Sequence, residues 1–418
     1  MRGASLVAAV LLTLSSCSER GDSAGQVTPS PVDTGIETET GTETGIDTGI
    51  DTGNYDRIYV AADHRGGRAL TDRLSSFQAE FHYQQRDIYL SRPGKPVRRV
   101  VATARSETCP RVSPDGQRLA YLEGKATVVV ATLDAEGEPS DPQLRTRLSG
   151  ASVGCPEWAP DARSLGYLVV LGRSPGLYET RPTEMHTLTL DGQDRVVVSF
   201  ETQTWHEPVF AWSPAGDEIA YTTERGLWRI RVAGGKAEPV WRPAEGDPSQ
   251  ELPMAFDRPT SVTWLSKSTI AFTVYASEAD RLNDTYGTGT ETRTVQLIHL
   301  GSGRVRRLET FAGAQALTWS PDGSRFASTG DRGRILVHDR VSGVTTRMNL
   351  TPAGEDHISF GFLAWSPDGQ ELLALARAGQ RGYALASLAS DGSSVEMRTH
   401  WTWALDWTTD RDVSWSNR

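Results

Sequence analysis

The sequence predicts an all-β fold: a closed β-propeller of four-stranded antiparallel blades. Three observations carry that expectation. A turn motif recurs, with Trp319-Ser320-Pro321-Asp322-Gly323 returning as Trp365-Ser366-Pro367-Asp368-Gly369, and weaker copies at Val112-Ser113-Pro114-Asp115-Gly116, Trp158-Ala159-Pro160-Asp161-Ala162 and Trp212-Ser213-Pro214-Ala215-Gly216. The copies are 46 to 55 residues apart once Ser266 is taken as the degenerate member between Pro214 and Pro321. Each copy is followed by short apolar runs separated by turn residues. That is the pattern of a radially repeated hairpin architecture.

Each element of a repeat has a local cause. Proline at the second motif position presets φ, aspartate tolerates the bridge region, and glycine supplies a positive φ, so the motif is a tight turn between two strands. In the repeat after Pro214, Ile219–Thr222 reads as a second strand, Leu227–Ile230 as a third, Gly234-Gly235 as a turn and Glu238–Trp241 as a fourth. In the Ser266 copy proline and glycine are lost, but Trp264 before it and Ile270-Ala271-Phe272 after it keep the frame. Trp158, Trp212, Trp264, Trp319 and Trp365 hold one register two places before the proline position, and Val112 replaces tryptophan in the first copy. Their fixed register predicts packing between blades.

At the N-terminal end of the repeats, Arg57–Ala62 looks like a second strand without a first, followed by Asp87–Ser91 and Pro96–Val101 as third and fourth. The missing first strand is expected at Trp403–Asp410, with Trp407 in the tryptophan register. Pairing of the two ends removes exposed sheet edges. Six whole repeats and this composite predict seven blades; six or eight are the alternative counts if the degenerate copies are read differently.

Residues 1–16 read as a signal peptide: Arg2 precedes a short apolar run, Ala4 to Leu14, too short for the ~20 residues of a membrane span. Leu14-Ser15-Ser16-Cys17 resembles the lipobox of bacterial lipoproteins, which implies cleavage before Cys17 and acylation of that residue. Ser18 after the cysteine points to the outer rather than the inner membrane. Residues 17–56 are low-complexity, with Thr34-Gly35-Ile36-Glu37 as a typical stretch, acidic and nearly free of aromatics. Such a segment buries too little apolar surface to fold. It reads as a tether that spans roughly 35 Å as a flexible coil. The propeller is expected over 57–418.

From about residue 57 to 410 the repeats resemble the TolB-like, or WD40-like (PD40), β-propeller repeats of bacterial envelope proteins; the Trp319 and Trp365 copies lie nearest that pattern. The resemblance implies the fold and, for members in the envelope, a role as protein-interaction scaffolds. Propellers host many unrelated activities, so the function must come from a site.

Cys109 and Cys155 each lie five residues before a turn proline and so occupy equivalent positions on neighbouring first strands. An oxidising envelope permits a disulfide between them. A bridge needs Cα atoms within about 7 Å, and two buried free thiols remain the alternative.

In a blade, the first-to-second and third-to-fourth turns share one face of the disc. The second-to-third and blade-to-blade connections share the other. The long insertions are Asp63–Arg86, Leu171–Met185 and Ala276–Arg293 (second-to-third), with the blade-to-blade segments Arg242–Pro259 and Thr351–Phe360. They gather on the face opposite the Pro-Asp-Gly turns, which is therefore the candidate binding surface. His64, Trp205, His206, His357 and Trp401 fall on or near it and are its candidate ligand contacts.

Chemistry is harder to find. Gly21-Asp22-Ser23-Ala24-Gly25 matches a G-x-S-x-G pattern, but that motif works only on a strand-to-helix turn, and here it lies in the tether. The eight histidines are scattered without ligand spacing and no Cys-x-x-Cys occurs, so no metal or other cofactor is expected. A net charge of −10 argues against nucleic acid. The reading is a non-enzymatic envelope lipoprotein held to the membrane by its lipid, with a protein or peptide partner. A glycan-binding module, or a propeller enzyme (polysaccharide lyase or hydrolase) with a central-channel site, are the alternatives.

Overall fold

The computed structural model describes residues 57–63, 86–92, 95–140, 142–148, 151–172, 180–203, 208–243, 258–277, 291–312, 317–329, 334–348, 359–378, 382–398 and 413–416. It is a seven-bladed β-propeller of antiparallel four-stranded blades, with no helix among the described residues. Blade 1 combines Arg57–Asp63, Arg86–Ser91 and Arg98–Val101 with Val413–Ser416. Blades 2 to 7 follow in chain order over 107–147, 151–203, 210–241, 258–312, 317–348 and 359–397. In every blade the strands pair in sequence order, first to fourth.

The Pro-Asp-Gly motif forms its turn as the residue types require. Gly116, Gly216, Gly323 and Gly369 all have positive φ, between 66° and 72°, and each donates its N–H to the carbonyl three residues back, as from Gly323 to Ser320 at 2.9 Å. The serine hydroxyl closes the turn from inside. Ser320 Oγ donates to Asp322 at 2.6 Å and accepts from the Arg325 N–H at 2.9 Å; Ser366 repeats this with Asp368 and Glu371. In blade 3 Ala162 takes the glycine position with φ 57°, a left-handed conformation a side chain adopts at a cost.

The core is distributed around the ring. The described buried apolar residues form seven clusters, one at each seam between neighbouring blades. Tyr59, Ile88 and Leu90 of blade 1 meet Leu119, Tyr121 and Val129 of blade 2. Ile58 and Val60 meet Phe362, Leu373 and Leu385 of blade 7 across the seam that closes the ring. The register tryptophans sit in these seams: Trp158, Trp264, Trp319 and Trp365 are buried and Trp212 is half-buried. Four of them staple one blade to the one before. Their indole nitrogens donate to Arg111 O (Trp158, 2.9 Å), Glu157 O (Trp212, 3.2 Å), Ala211 O (Trp264, 3.2 Å) and Thr318 O (Trp365, 3.1 Å). Each acceptor immediately precedes the register position of the preceding blade. Trp319 Nε1 is buried without a partner among the described residues.

The ring closes by pairing its two ends, but with a different strand from the one expected. Val413–Ser416, not Trp403–Asp410, supplies the first strand of blade 1, with Ile58 opposite Trp415 and Val60 opposite Val413. In blade 6 Trp319 stands opposite Phe326, one place after Arg325. Trp415 stands opposite Ile58, one place after Arg57, so Trp415-Ser416 holds the register expected of Trp407. Trp407 lies outside the described residues. Trp403–Trp407 and Trp415-Ser416 offer similar local patterns, and the ladder with 57–60 selects the later one.

The insertions are shorter than the sequence suggests because the strands run into them. In blade 3 the ladder continues through Val170 opposite Thr183, so strands end at Leu171 and resume at Thr180. In blade 5 it continues to Ser277 opposite Glu291. The first strand of blade 3 is split into Ala151–Val153 and Glu157–Trp158, both paired with Ser164–Leu171. Cys155 lies in the split. Cys109 lies in a bulge of the neighbouring first strand, with φ 55°. The two are joined in a disulfide with Cα atoms 5.4 Å apart.

Candidate functional site

Strand order distributes the connections between two faces. At one are the Pro-Asp-Gly turns and the third-to-fourth turns. At the other are the strand ends that bound 64–85, 172–179 and 278–290, between second and third strands, and 242–257 and 349–358, between blades. His64, Trp205, His206, His357 and Trp401 lie outside the described residues, as does Cys17.

What the structure describes at the rim of the long-connection face is a set of buried carboxylates between blades 1 and 2. Asp87 is near the start of its strand, Glu107 begins the first strand of blade 2, and Glu123 ends the second and stands opposite Glu107. All three are buried. Asp87 is paired with Arg99 at 3.1 Å, and Glu123 with Arg145 and, at 3.6 Å, with Arg105. Among the described residues no cation pairs with Glu107; Thr103 donates to one carboxylate oxygen, and the other is buried without a described partner. Burial therefore pushes the Glu107 carboxyl above its usual range, the Thr103 hydrogen bonds oppose that, and the neighbouring Asp87 and Glu123 charges add to it. Sequence reading missed it because the three acids come from three strands with no common local pattern. Its one signal is that Asp87 and Glu107 stand at the start of their strands and Glu123 at the end of an antiparallel neighbour, which puts all three at one face.

A second constellation is in blade 3. His186 is buried, with Nδ1 3.0 Å from Asp194 and Nε2 3.1 Å from Glu184, and its ring stacks on Tyr167 at 5.4 Å. Both carboxylates hydrogen-bond the imidazole, so the group is a closed hydrogen-bonded cluster within one sheet. In blade 6, His338 is stacked on Phe326 at 4.6 Å and bonded to Thr345 at 2.7 Å. Among the described residues, no three His, Cys, Asp or Glu side chains are placed to hold a metal ion.

Two cavities are described. One, of about 300 Å³, is in blade 4 between Glu218, Arg229, Arg231, Lys236, Glu238 and the Gly234-Gly235 turn. The other, of about 260 Å³, is at the inner strands on the Pro-Asp-Gly face, lined by Arg111, Val112, Ser113, Pro114, Glu157, Trp158 and Pro367. It draws on blades 2, 3 and 7. Arg111 Nε donates to Glu157 at 2.8 Å across the blade 2–3 seam, two residues along from the disulfide on each strand.

No protein-family model matches the sequence. No curated protein matches it either. Solved structures do resemble the fold. An oligogalacturonate lyase from Vibrio parahaemolyticus superposes with a TM-score of 0.51 at 10% identity, over 76% of this chain and 83% of that one. A puromycin hydrolase superposes with a TM-score of 0.55 at 12% identity, over 83% of this chain and 52% of its own, so this chain spans about half the length of that enzyme. TolB from Acinetobacter baumannii aligns at a TM-score of 0.45 and 14% identity, over 89% of this chain and 69% of that one. At such identities the likeness is one of architecture, and the propeller is common to enzymes and to proteins that are not.

Proposed function

We propose that the protein is an exported envelope lipoprotein, anchored through Cys17, whose propeller binds another envelope protein or peptide through the face that carries the long connections. One observation supports this reading: the strand ends that bound 64–85, 172–179, 242–257, 278–290 and 349–358 open on the same face, while on the opposite face the described turns are short except for 133–143, between the third and fourth strands of blade 2. Variation gathers where a rigid scaffold presents loops to a partner. The Leu14-Ser15-Ser16-Cys17 run and the acidic tether after it support attachment that lets the disc stand off a bilayer.

The test is crosslinking of the full-length, lipidated protein in its own membranes, followed by capture. Recovery of a defined protein that is lost on deletion of 278–290 supports the reading. Retention on peptidoglycan or polysaccharide resin with no protein partner overturns it in favour of glycan recognition. Turnover of a polysaccharide or peptide substrate overturns it in favour of an enzyme. The anchor is tested separately: Cys17→Ala moves the protein to the soluble fraction, and continued membrane association refutes lipidation as the anchor.

A further inference from the structure

We propose that the Pro-Asp-Gly face of blades 4 to 6 lies against an anionic lipid surface, with cationic turns on the phosphate headgroups and valines at the headgroup boundary. The orientation rests on the lipoprotein reading above; the lipid affinity of the face does not.

The charge of this sector comes from departures in the repeat. The turn aspartate is Asp115, Asp161, Asp322 and Asp368 in blades 2, 3, 6 and 7, but Ala215 in blade 4 and Lys267 in blade 5. Around the third-to-fourth turns of the same two blades stand Arg231 and Lys236, and Arg304 and Arg306. All five cations are exposed, and none is in an ion pair with a described residue. The carboxylates beside them in blade 4 are engaged: Glu218 and Glu238 both face Arg229, at 3.6 and 2.7 Å, and Asp217 accepts from Ser213 at 2.8 Å. A chain of net charge −10 thus presents a positive sector over two neighbouring blades. Arg231 and Lys236 also line the 300 Å³ cavity with Gly234 and Gly235. Both glycines have positive φ, and nothing lies within 4 Å of where a Cβ would stand, so the main chain there is open to an approaching headgroup.

The apolar part lies on the same rim. Among the described residues the exposed large hydrophobic side chains are Val97, Val196, Val305, Val341 and Val344. Each is in a third-to-fourth turn or in the first three residues of a fourth strand, so all five stand toward the Pro-Asp-Gly face. Val305, Val341 and Val344, 40%, 80% and 58% exposed, belong to the adjacent blades 5 and 6, and Val305 is set between Arg304 and Arg306. Single exposed valines are ordinary. Valines and unpaired cations sharing one rim give the two terms of binding to a lipid surface, apolar burial and attraction to anionic headgroups.

The course of the chain selects a bilayer as the occupant. Second strands start at this face, and Arg57 starts the second strand of blade 1, so the segment that follows Cys17 enters the propeller here.

The test is flotation of the full chain carrying Cys17→Ala, which has no lipid of its own, with vesicles at low ionic strength. Binding to phosphatidylglycerol and phosphatidylcholine in equal parts, about tenfold or more weaker on phosphatidylcholine alone and reversed by high salt, supports the proposal. Lys267→Gln and Arg304→Gln should each lower that binding about fivefold, the usual worth of one cation beside an anionic surface. Val341→Ser should lower it too, whereas Arg225→Gln, in the second-to-third turn of blade 4 on the other face, should leave it unchanged. Orientation is read in the lipidated protein: a lipid-borne quencher should dim a fluorophore on Val341→Cys and spare one on Arg225→Cys. No vesicle binding, binding indifferent to both Lys267→Gln and Arg304→Gln, or no quenching at position 341 overturns the proposal. Flotation is read without the anchor, so its failure leaves lipidation at Cys17 standing, and failure of lipidation leaves the flotation result standing. The high-salt wash also strips this contact from membranes, so it does not mask release of the Cys17→Ala protein.

Discussion

Trp365 donates its indole N–H to the carbonyl of Thr318, 3.1 Å away, so a residue of blade 7 is hydrogen-bonded to the main chain of blade 6 beside that blade's own tryptophan. Trp158, Trp212 and Trp264 repeat the relation at other seams, and Trp319 does not. Among the described residues, indole bonds tie four pairs of neighbouring blades; between blades 5 and 6 the tryptophan is present without the bond, and blade 2 carries Val112 in its place.

That difference is measurable. Trp365→Phe keeps most of the apolar burial but strands the Thr318 carbonyl, and should cost about 1 kcal/mol more than Trp319→Phe, which has no such bond to lose. Denaturant unfolding of the two variants reads the gap; equal losses would show that the indole bonds add nothing to packing.

The disulfide closes a loop of 46 residues. Chain entropy puts its contribution at about 3–4 kcal/mol. Cys109→Ser with Cys155→Ser should lower the melting temperature, and reductant should destabilise the wild type while leaving that double variant unmoved. A wild type insensitive to reductant under denaturing titration would contradict the bridge.

Turn chemistry makes opposite predictions at two equivalent positions. Ala162 has φ 57°, so Ala162→Gly should stabilise by up to about 1 kcal/mol. Gly323 has φ 66°, and a Cβ there would stand 3.1 Å from a Leu265 methyl, so Gly323→Ala should destabilise by strain and crowding together. Thermal melts of the pair check the signs, and the same sign for both would sink the argument.

Burial depresses the His338 imidazole from 6.5 to about 4. The unfolded chain takes up that proton first as the pH falls, so the stability tied to neutral His338 is complete above about 6.5 and is lost progressively down to about 4. The loss is bounded at roughly 3 kcal/mol. Between those limits wild type should lose stability more steeply than His338→Gln; parallel curves would mean the imidazole titrates as in the unfolded chain.

Much of this fold was legible in the sequence because its information is local and repeated. Pro321, Asp322 and Gly323 specify a turn by their own dihedral preferences, and the 46- to 55-residue recurrence of that turn yields blades and their number. The same phase sorts the connections onto two faces. The candidate site was less legible. Glu107 gains its character from Asp87 and Glu123 on other strands, and the cavity beside Glu157 exists only where inner strands of three blades converge.

By itself, then, the sequence determined the strand-and-turn grammar, because backbone preferences and apolar alternation act over a few residues. Tertiary structure alone decided which strand closes the ring, since Trp403–Asp410 and Val413–Ser416 are both adequate locally and only the hydrogen-bond ladder with Arg57–Val60 distinguishes them. It also decided that Cys109 and Cys155 meet: a bulge on one inner strand and a break in the next bring their Cα atoms to 5.4 Å, an approach set by how adjacent blades pack.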